Sequence, residues 1–158
     1  MPDATPETPA RRLADIRAEM AKSCKIAKRS TDHVALIAVS KTRNADEIRP
    51  LLDAGQQAFG ENRVQEAATK WPELRAAYPD IELHLIGQLQ SNKAEEAVAL
   101  FDCIHSLDRL SLLTALSKAM AKAGKRVPCF IQVNIGEEEQ KGGCAIAELP
   151  ELLAAAKE

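Results

Sequence analysis

The sequence predicts an α/β protein of the (β/α)8 TIM-barrel type, with an N-terminal helix and about the first five of eight strand–helix units in 158 residues. Apolar runs with strand character start near residues 34, 57, 81, 101 and 128, and a helix-like segment follows each. Each run ends in polar residues or glycine, and in a barrel such ends share one rim. Strict alternation also fits an open doubly wound sheet. However, the turn after the first run lacks the glycines of a nucleotide-binding sheet, so we favour the barrel.

The elements are predicted as follows. Residues 1–10, rich in proline and alanine, are expected to be a disordered leader, and residues 11–158 a single barrel domain whose strands six to eight are missing. Pro50 should kink or shorten the second helix. The predicted strands are 34–41, 57–60, 81–86, 101–105 and 127–135, and the predicted helices are 11–29, 45–54, 63–70, 91–99, 108–123 and 149–156.

Composition excludes several classes of protein. The net charge is −2 without a dense basic run, so we expect no nucleic-acid partner. No apolar stretch approaches the roughly 18 residues of a membrane span, and no secretion signal is visible. The four cysteines form no C-x-x-C pair, so neither a zinc site nor a disulfide framework is predicted. We therefore expect a cytoplasmic protein with reduced thiols.

The first strand ends in Lys41, after a run of seven mostly apolar residues. A lysine at the end of a buried strand is costly unless it has a partner or a chemical role. One interpretation is a Schiff-base lysine, whose amine becomes nucleophilic when its pKa is lowered. The other is a lysine whose long side chain reaches water from the strand end. The sequence pattern alone leaves both open.

Other polar residues fall at or near predicted strand ends. Asn62 follows the second strand, two residues after Gly60, where it either contacts a ligand or caps the next helix. His84 and His105 lie within strands and, without further ligands at a suggestive spacing, are expected to be core histidines rather than a metal pair. Asn134, late in the last strand, either lines the rim or bonds the backbone.

Five motifs in register carry a resemblance to a known family. They are AVSKT at 38–42, FGEN at 59–62 with VQE at 64–66, HLIG at 84–87 with LQSNK at 89–93, HSLDR at 105–109, and QVNI at 132–135. Together they resemble the pyridoxal phosphate homeostasis proteins, which are single-domain relatives of the alanine racemase N-terminal barrel.

The resemblance implies pyridoxal 5′-phosphate (PLP) as cofactor, held as an internal aldimine on Lys41 with Asn62 near its ring. It further implies cofactor contacts for His84, Ser106 and Asn134, and no metal. Lys141 matches a lysine of the family's loop after the fifth strand. Two later family segments, which cup the phosphate, have no match in this sequence.

The function that the resemblance implies is a carrier or regulator in vitamin B6 homeostasis rather than an enzyme, with PLP, amino acids or PLP-dependent apo-enzymes as partners. The alternatives are a PLP-dependent racemase-like enzyme, a Schiff-base aldolase, and a chain that binds nothing. The family is expected to be monomeric. We expect this shorter chain to self-associate, because an unclosed sheet leaves an open edge.

Overall fold

In a computed structural model, which describes residues 7–157, five strands form one parallel sheet. The strand order is β1-β2-β3-β4-β5, the order of the sequence itself. A doubly wound sheet instead reverses its order at a switch point, so the sequential order confirms the barrel type over the open alternative. The strands are β1 Ala38–Val39, β2 Ala58–Glu61, β3 Glu82–Leu85, β4 Cys103–Leu107 and β5 Cys129–Ile131.

Six α-helices in the described chain alternate with these strands, as predicted. They are α1 Pro9–Ile26, α2 Ala45–Asp53, α3 Val64–Ala77, α4 Ala94–Leu100, α5 Leu110–Ala123 and α6 Leu149–Ala155. Short 3₁₀ turns occupy residues 31–33, 91–93 and 146–148. None of the helices among residues 7–157 is both long and apolar enough to cross a membrane.

Helix α1 begins at Pro9, two residues before the predicted start. The side chain of Thr8 caps it by accepting a hydrogen bond from the Arg11 N–H, and proline is well tolerated in a first helical turn. The last two residues of the predicted 1–10 leader are therefore helical. Residues 1–6 lie outside the described part of the chain.

Two helices contain a proline without ending there. Helix α2 starts with a capping box between Asn44 and Glu47 and continues through Pro50 to Asp53. Helix α3 continues seven residues past its predicted end at Lys70, through Pro72. The later half of α3 carries the fully buried side chain of Trp71, so tertiary packing outweighs the local cost of the proline.

The hydrophobic core lies between the sheet and helices α2 to α5. Strand residues that point to the helices alternate with residues on the opposite, concave face, as the pleat of a strand requires. On the concave face Val39 and Phe130 are 53% and 60% exposed. The fully buried core side chains include Phe59, Trp71, Leu74, Leu83, Leu85, Val98, Phe101, Ile104 and Leu112.

Strand β1 is six residues shorter than predicted, as is β5. Residues 34–41 form an apolar run, but only Ala38–Val39 pair as a strand, and they pair only with β2. Within the described chain β1 is an edge strand, so nothing extends its ladder or covers its concave face. Lys41 consequently lies beyond the strand, in an exposed turn, and not at the end of a buried strand.

Candidate functional site

Lys41 lies at the tip of a tight turn at the carboxyl-end rim of the sheet. The turn is closed by the Arg43 N–H, which donates to the Ser40 carbonyl at 3.1 Å. Thr42 has a φ of 63°, a left-handed conformation that is unusual for a β-branched residue. The Lys41 side chain is exposed and makes no hydrogen bond or ion pair to residues 7–157. Its amine is therefore accessible from solvent, while hydrogen bonds hold the backbone around it.

A second lysine, Lys70 on α3, holds the backbone of that turn through hydrogen bonds. Its Nζ donates to the carbonyls of Ser40 and Arg43, at 2.8 Å each, so it bonds the backbone on both sides of Lys41. Lys70 is only 9% exposed. We call Lys70, Glu61 and Glu66 the lysine clamp, because both carboxylates neutralise the buried ammonium.

Glu61 is the buried carboxylate of the lysine clamp, with no exposed surface. Its Oε1 lies 2.8 Å from Lys70 Nζ and accepts hydrogen bonds from Ser40 Oγ at 2.7 Å and Trp71 Nε1 at 3.0 Å. Oε2 has no partner among the described residues. A buried ion pair is stable only when further hydrogen bonds support it, and the hydroxyl and the indole supply them.

Glu66 is the outer carboxylate of the lysine clamp. Its Oε1 accepts from the Thr42 N–H, and it lies 3.2 Å from Lys70 Nζ. Burial raises the pKa of Glu66, but the bonds to Thr42 and Lys70 outweigh burial and leave the pKa below its ordinary value. The strained turn residue is thus held by an ionised carboxylate.

Asn62 follows β2 directly and is half-buried at the same rim. Its side-chain amide makes no hydrogen bond within the described part of the chain. Its backbone packs against Gly87, where an added Cβ would lie 2.3 Å from the Asn62 carbonyl oxygen. Glycine at 87 is therefore required for the close approach of the turns that follow β2 and β3.

His84 on β3 and His105 on β4 contact each other on the concave face. His84 Nδ1 lies 2.9 Å from His105 Nε2, and Cys103 is close enough for all three side chains to offer ligand atoms within 4.8 Å of one another. Burial, then the His84 charge, lowers the pKa of His105. Burial, then the Glu82 charge, raises the pKa of Cys103. The two histidines therefore pair with each other on the concave face and not within the hydrophobic core, and Cys103 lies beside them.

Ser106 and Asn134 occupy different surroundings. Ser106 on β4 is 1% exposed, and its Oγ has no partner among residues 7–157. Asn134 lies beyond the end of β5, not late in the strand as predicted. Its amide donates to the Glu138 carbonyl at 2.9 Å, and its Oδ1 accepts from the Glu138 N–H at 3.3 Å. Of the two interpretations left open for Asn134, the structure shows the backbone-bonding one.

The rim therefore brings together Lys41 and Asn62, while His84 lies deeper on the concave face and Asn134 supports the loop that contains exposed Lys141. The sequence prediction missed Lys70, which resembles an ordinary helix-surface lysine. The available signal was Glu61, a carboxylate inside the strand run AFGE, which needs a buried cation.

The sheet is parallel with its strands in sequential order, and the lysine after its first strand has no partner among residues 7–157. These features define the class of a barrel domain that presents an amine at its rim. The sequence comparison agrees: residues 14–158 match the family described as alanine racemase, N-terminal domain, and the chain belongs to this family.

Two curated bacterial relatives carry the same name. The chain is 39% identical over 150 residues to the pyridoxal phosphate homeostasis protein of Escherichia coli, covering 94% of this chain and 64% of that protein. It is 38% identical over 151 residues to the protein of the same name from Pseudomonas aeruginosa, covering 96% and 65%. The chain thus spans a little under two thirds of these relatives.

Solved structures agree in fold. PipY of Synechococcus elongatus without PLP is 41% identical, with a TM-score of 0.78 over 92% of this chain and 65% of that one. PipY with PLP bound has the same identity and a TM-score of 0.69, over 86% and 63%. A protein of unknown function from Bifidobacterium adolescentis is 31% identical with a TM-score of 0.86, over 93% and 63%.

Proposed function

We propose that this chain binds PLP covalently through Lys41 and acts in vitamin B6 homeostasis. The observation that carries the proposal is the turn at Lys41: a free, exposed amine whose backbone is held on both sides by the lysine clamp. The names of the curated relatives and the PLP-bound PipY structure support the same assignment. The residues present fit the group, because an aldehyde needs an accessible amine and Lys41 supplies it.

The reaction proposed for Lys41 is reversible condensation with an aldehyde. Its neutral Nζ attacks an aldehyde carbon, a C=N bond forms, and one water leaves with the carbonyl oxygen. A second amine would replace Lys41 in the C=N bond, which would return the free lysine amine and release the compound as the imine of the second amine. PLP supplies the aldehyde when bound. This exchange supports storage and delivery, and it needs only a correctly oriented lysine.

Three further side chains are proposed to contact the cofactor. Asn62 offers an uncommitted amide at the rim, and Ser106 a buried hydroxyl without a partner. His84 lies on the concave face but already pairs with His105. Asn134 would have to break both bonds to Glu138 to reach a ligand, so we propose that it shapes the loop instead.

We propose a binding protein rather than an enzyme. A racemase needs a second acid–base group opposite the lysine. Near the turn, Glu66 is committed to the Thr42 N–H and Lys70, and Glu61 is fully buried with its Oε1 bound to Ser40, Trp71 and Lys70, so we assign neither carboxylate the acid–base role. We place the protein in the cytoplasm, where the four free thiols at positions 24, 103, 129 and 144 remain reduced.

The test is an absorbance titration with PLP. The parent should develop the imine band at the violet edge of the visible spectrum. Lys41→Arg keeps the positive charge but cannot form the imine, so it should lose the band while retaining its fold. Lys118→Arg, an exposed lysine on α5, is the matched control and should keep the band. An equal band in parent and Lys41→Arg would refute the proposal.

A further inference from the structure

The concave face contains a second cluster of reactive side chains, separate from the Lys41 turn. His84 and Cys103 are register partners on neighbouring strands, and His105 lies two residues further along β4. Because side chains alternate along a strand, Cys103 and His105 project from the same face of β4. Two nitrogen ligands and one sulfur ligand thus converge within 4.8 Å.

We propose that His84, Cys103 and His105 form a binding site for a divalent transition metal of the zinc class. Imidazole nitrogen and thiolate sulfur are the ligands that Zn²⁺ prefers, and three protein ligands leave a fourth position for water. This site shares His84 with the cofactor contacts proposed above but does not use Lys41. It reverses the expectation from sequence, which found no third ligand near the two histidines.

The distances fit such a site. In a tetrahedral zinc site, ligand nitrogens lie roughly 3.3 Å apart and nitrogen and sulfur roughly 3.6 Å, from the usual bond lengths. His84 Nδ1 and His105 Nε2 are 2.9 Å apart. The widest separation in the cluster is within 4.8 Å, so the sulfur side has to close by about 1 Å, which a side-chain rotation can supply.

The other ring nitrogen of His84, Nε2, also supports a metal site. His84 is 8% exposed, and its buried Nε2 makes no hydrogen bond to the described residues. That nitrogen lies 3.4 Å from Glu82 Oε1. With metal on Nδ1, a neutral His84 carries its hydrogen on Nε2, from which it can donate a hydrogen bond to Glu82 Oε1. A carboxylate behind a ligand histidine is the usual arrangement around zinc.

The protons of the three ligand side chains can also be accounted for when the metal binds. The thiol of Cys103 loses its proton to solvent as the sulfur–metal bond forms. The hydrogen between the two imidazoles moves to an outer ring nitrogen, so both imidazoles bind the metal in their neutral form. Phe130 packs on His105, with ring centroids 4.8 Å apart, and covers one side of the cluster with an apolar surface. Limited water access at this side strengthens the electrostatic attraction between metal and ligands.

The experiment uses Co²⁺ as a spectroscopic probe on chelator-treated protein without PLP. The parent should bind one Co²⁺ per chain, with visible tetrahedral bands and a near-ultraviolet sulfur-to-cobalt charge-transfer band, and Zn²⁺ should bleach both. Cys103→Ser should abolish the charge-transfer band and weaken Co²⁺ binding at least tenfold. Cys129→Ser, on the neighbouring strand, is the matched control and should keep the full spectrum.

Glu82→Gln tests the carboxylate that lies behind His84. It should not disturb the core, because the Glu82 side chain is 59% exposed. It should weaken Co²⁺ about tenfold, the usual effect of losing a carboxylate behind a ligand histidine. Lys41→Arg should leave the cobalt spectrum unchanged, so this site and the cofactor proposal fail separately. A charge-transfer band absent from the parent, or equal affinity in parent and a folded Cys103→Ser, would mean adventitious surface binding and overturn the site.

Discussion

Replacing Lys70 by methionine should release the turn that presents Lys41. Methionine keeps much of the side-chain volume but removes four polar contacts, to Ser40, Arg43, Glu61 and Glu66. It leaves the carboxylate of Glu61 buried without a cation. Losing one partner of a buried ion pair costs about 3–5 kcal/mol, a large share of the roughly 5–15 kcal/mol that stabilises a domain.

The assay is urea unfolding of Lys70→Met followed by circular dichroism, with PLP binding measured where the variant is still folded. Lys122→Met is the control, because its ion pair with Glu95 is of similar length, 2.8 Å, but both side chains are mostly exposed. That pair should contribute less than about 1 kcal/mol. A loss below about 1 kcal/mol in Lys70→Met, or undiminished affinity for PLP, would contradict the role of the lysine clamp.

Three further predictions concern the rim. Gly87→Ala should destabilise by about 1–3 kcal/mol in urea unfolding, since its Cβ would meet the Asn62 carbonyl, whereas Gly136→Ala, which faces only a side chain, should be nearly neutral. Thr42→Gly should raise the free energy of unfolding by about 0.5–1 kcal/mol by relieving the positive φ; a loss would show that no strain is present. Because the folded pKa of Glu66 is lowered, its contribution is complete above its ordinary pKa of 4.5 and is lost as the pH falls through the folded value. Acid titration of Glu66→Gln should therefore show a shallower loss of stability below that pH than the parent.

The fold was largely predictable because alternation of apolar runs and helix caps is a local signal. The extent of β1 was not, since an apolar run reveals burial but not whether a neighbouring strand extends the ladder. The end of α3 was misplaced because Pro72 is a strong local breaker, and the burial of Trp71 that overrides it is a tertiary effect.

The candidate site, like the fold, could be predicted only in part from the sequence. The position of Lys41 after the first strand could be predicted, and its rim location followed from the barrel. Its exposure could not, because exposure depends on what covers the concave face. Lys70 was missed since an i, i+4 pair with Glu66 resembles a surface ion pair. Cys103 could have been found, because C-x-H on a strand places both side chains on one face.

Covalent attachment of PLP to Lys41 is tested most directly by borohydride reduction of the PLP-treated chain followed by peptide mass mapping. Reduction converts the C=N bond to a stable C–N bond, which marks the lysine that carried the cofactor. We expect a single adduct per chain, on Lys41, whose exposed amine has no partner among residues 7–157. Labelling spread over exposed lysines such as Lys118, or a dominant adduct at any other position, would contradict it.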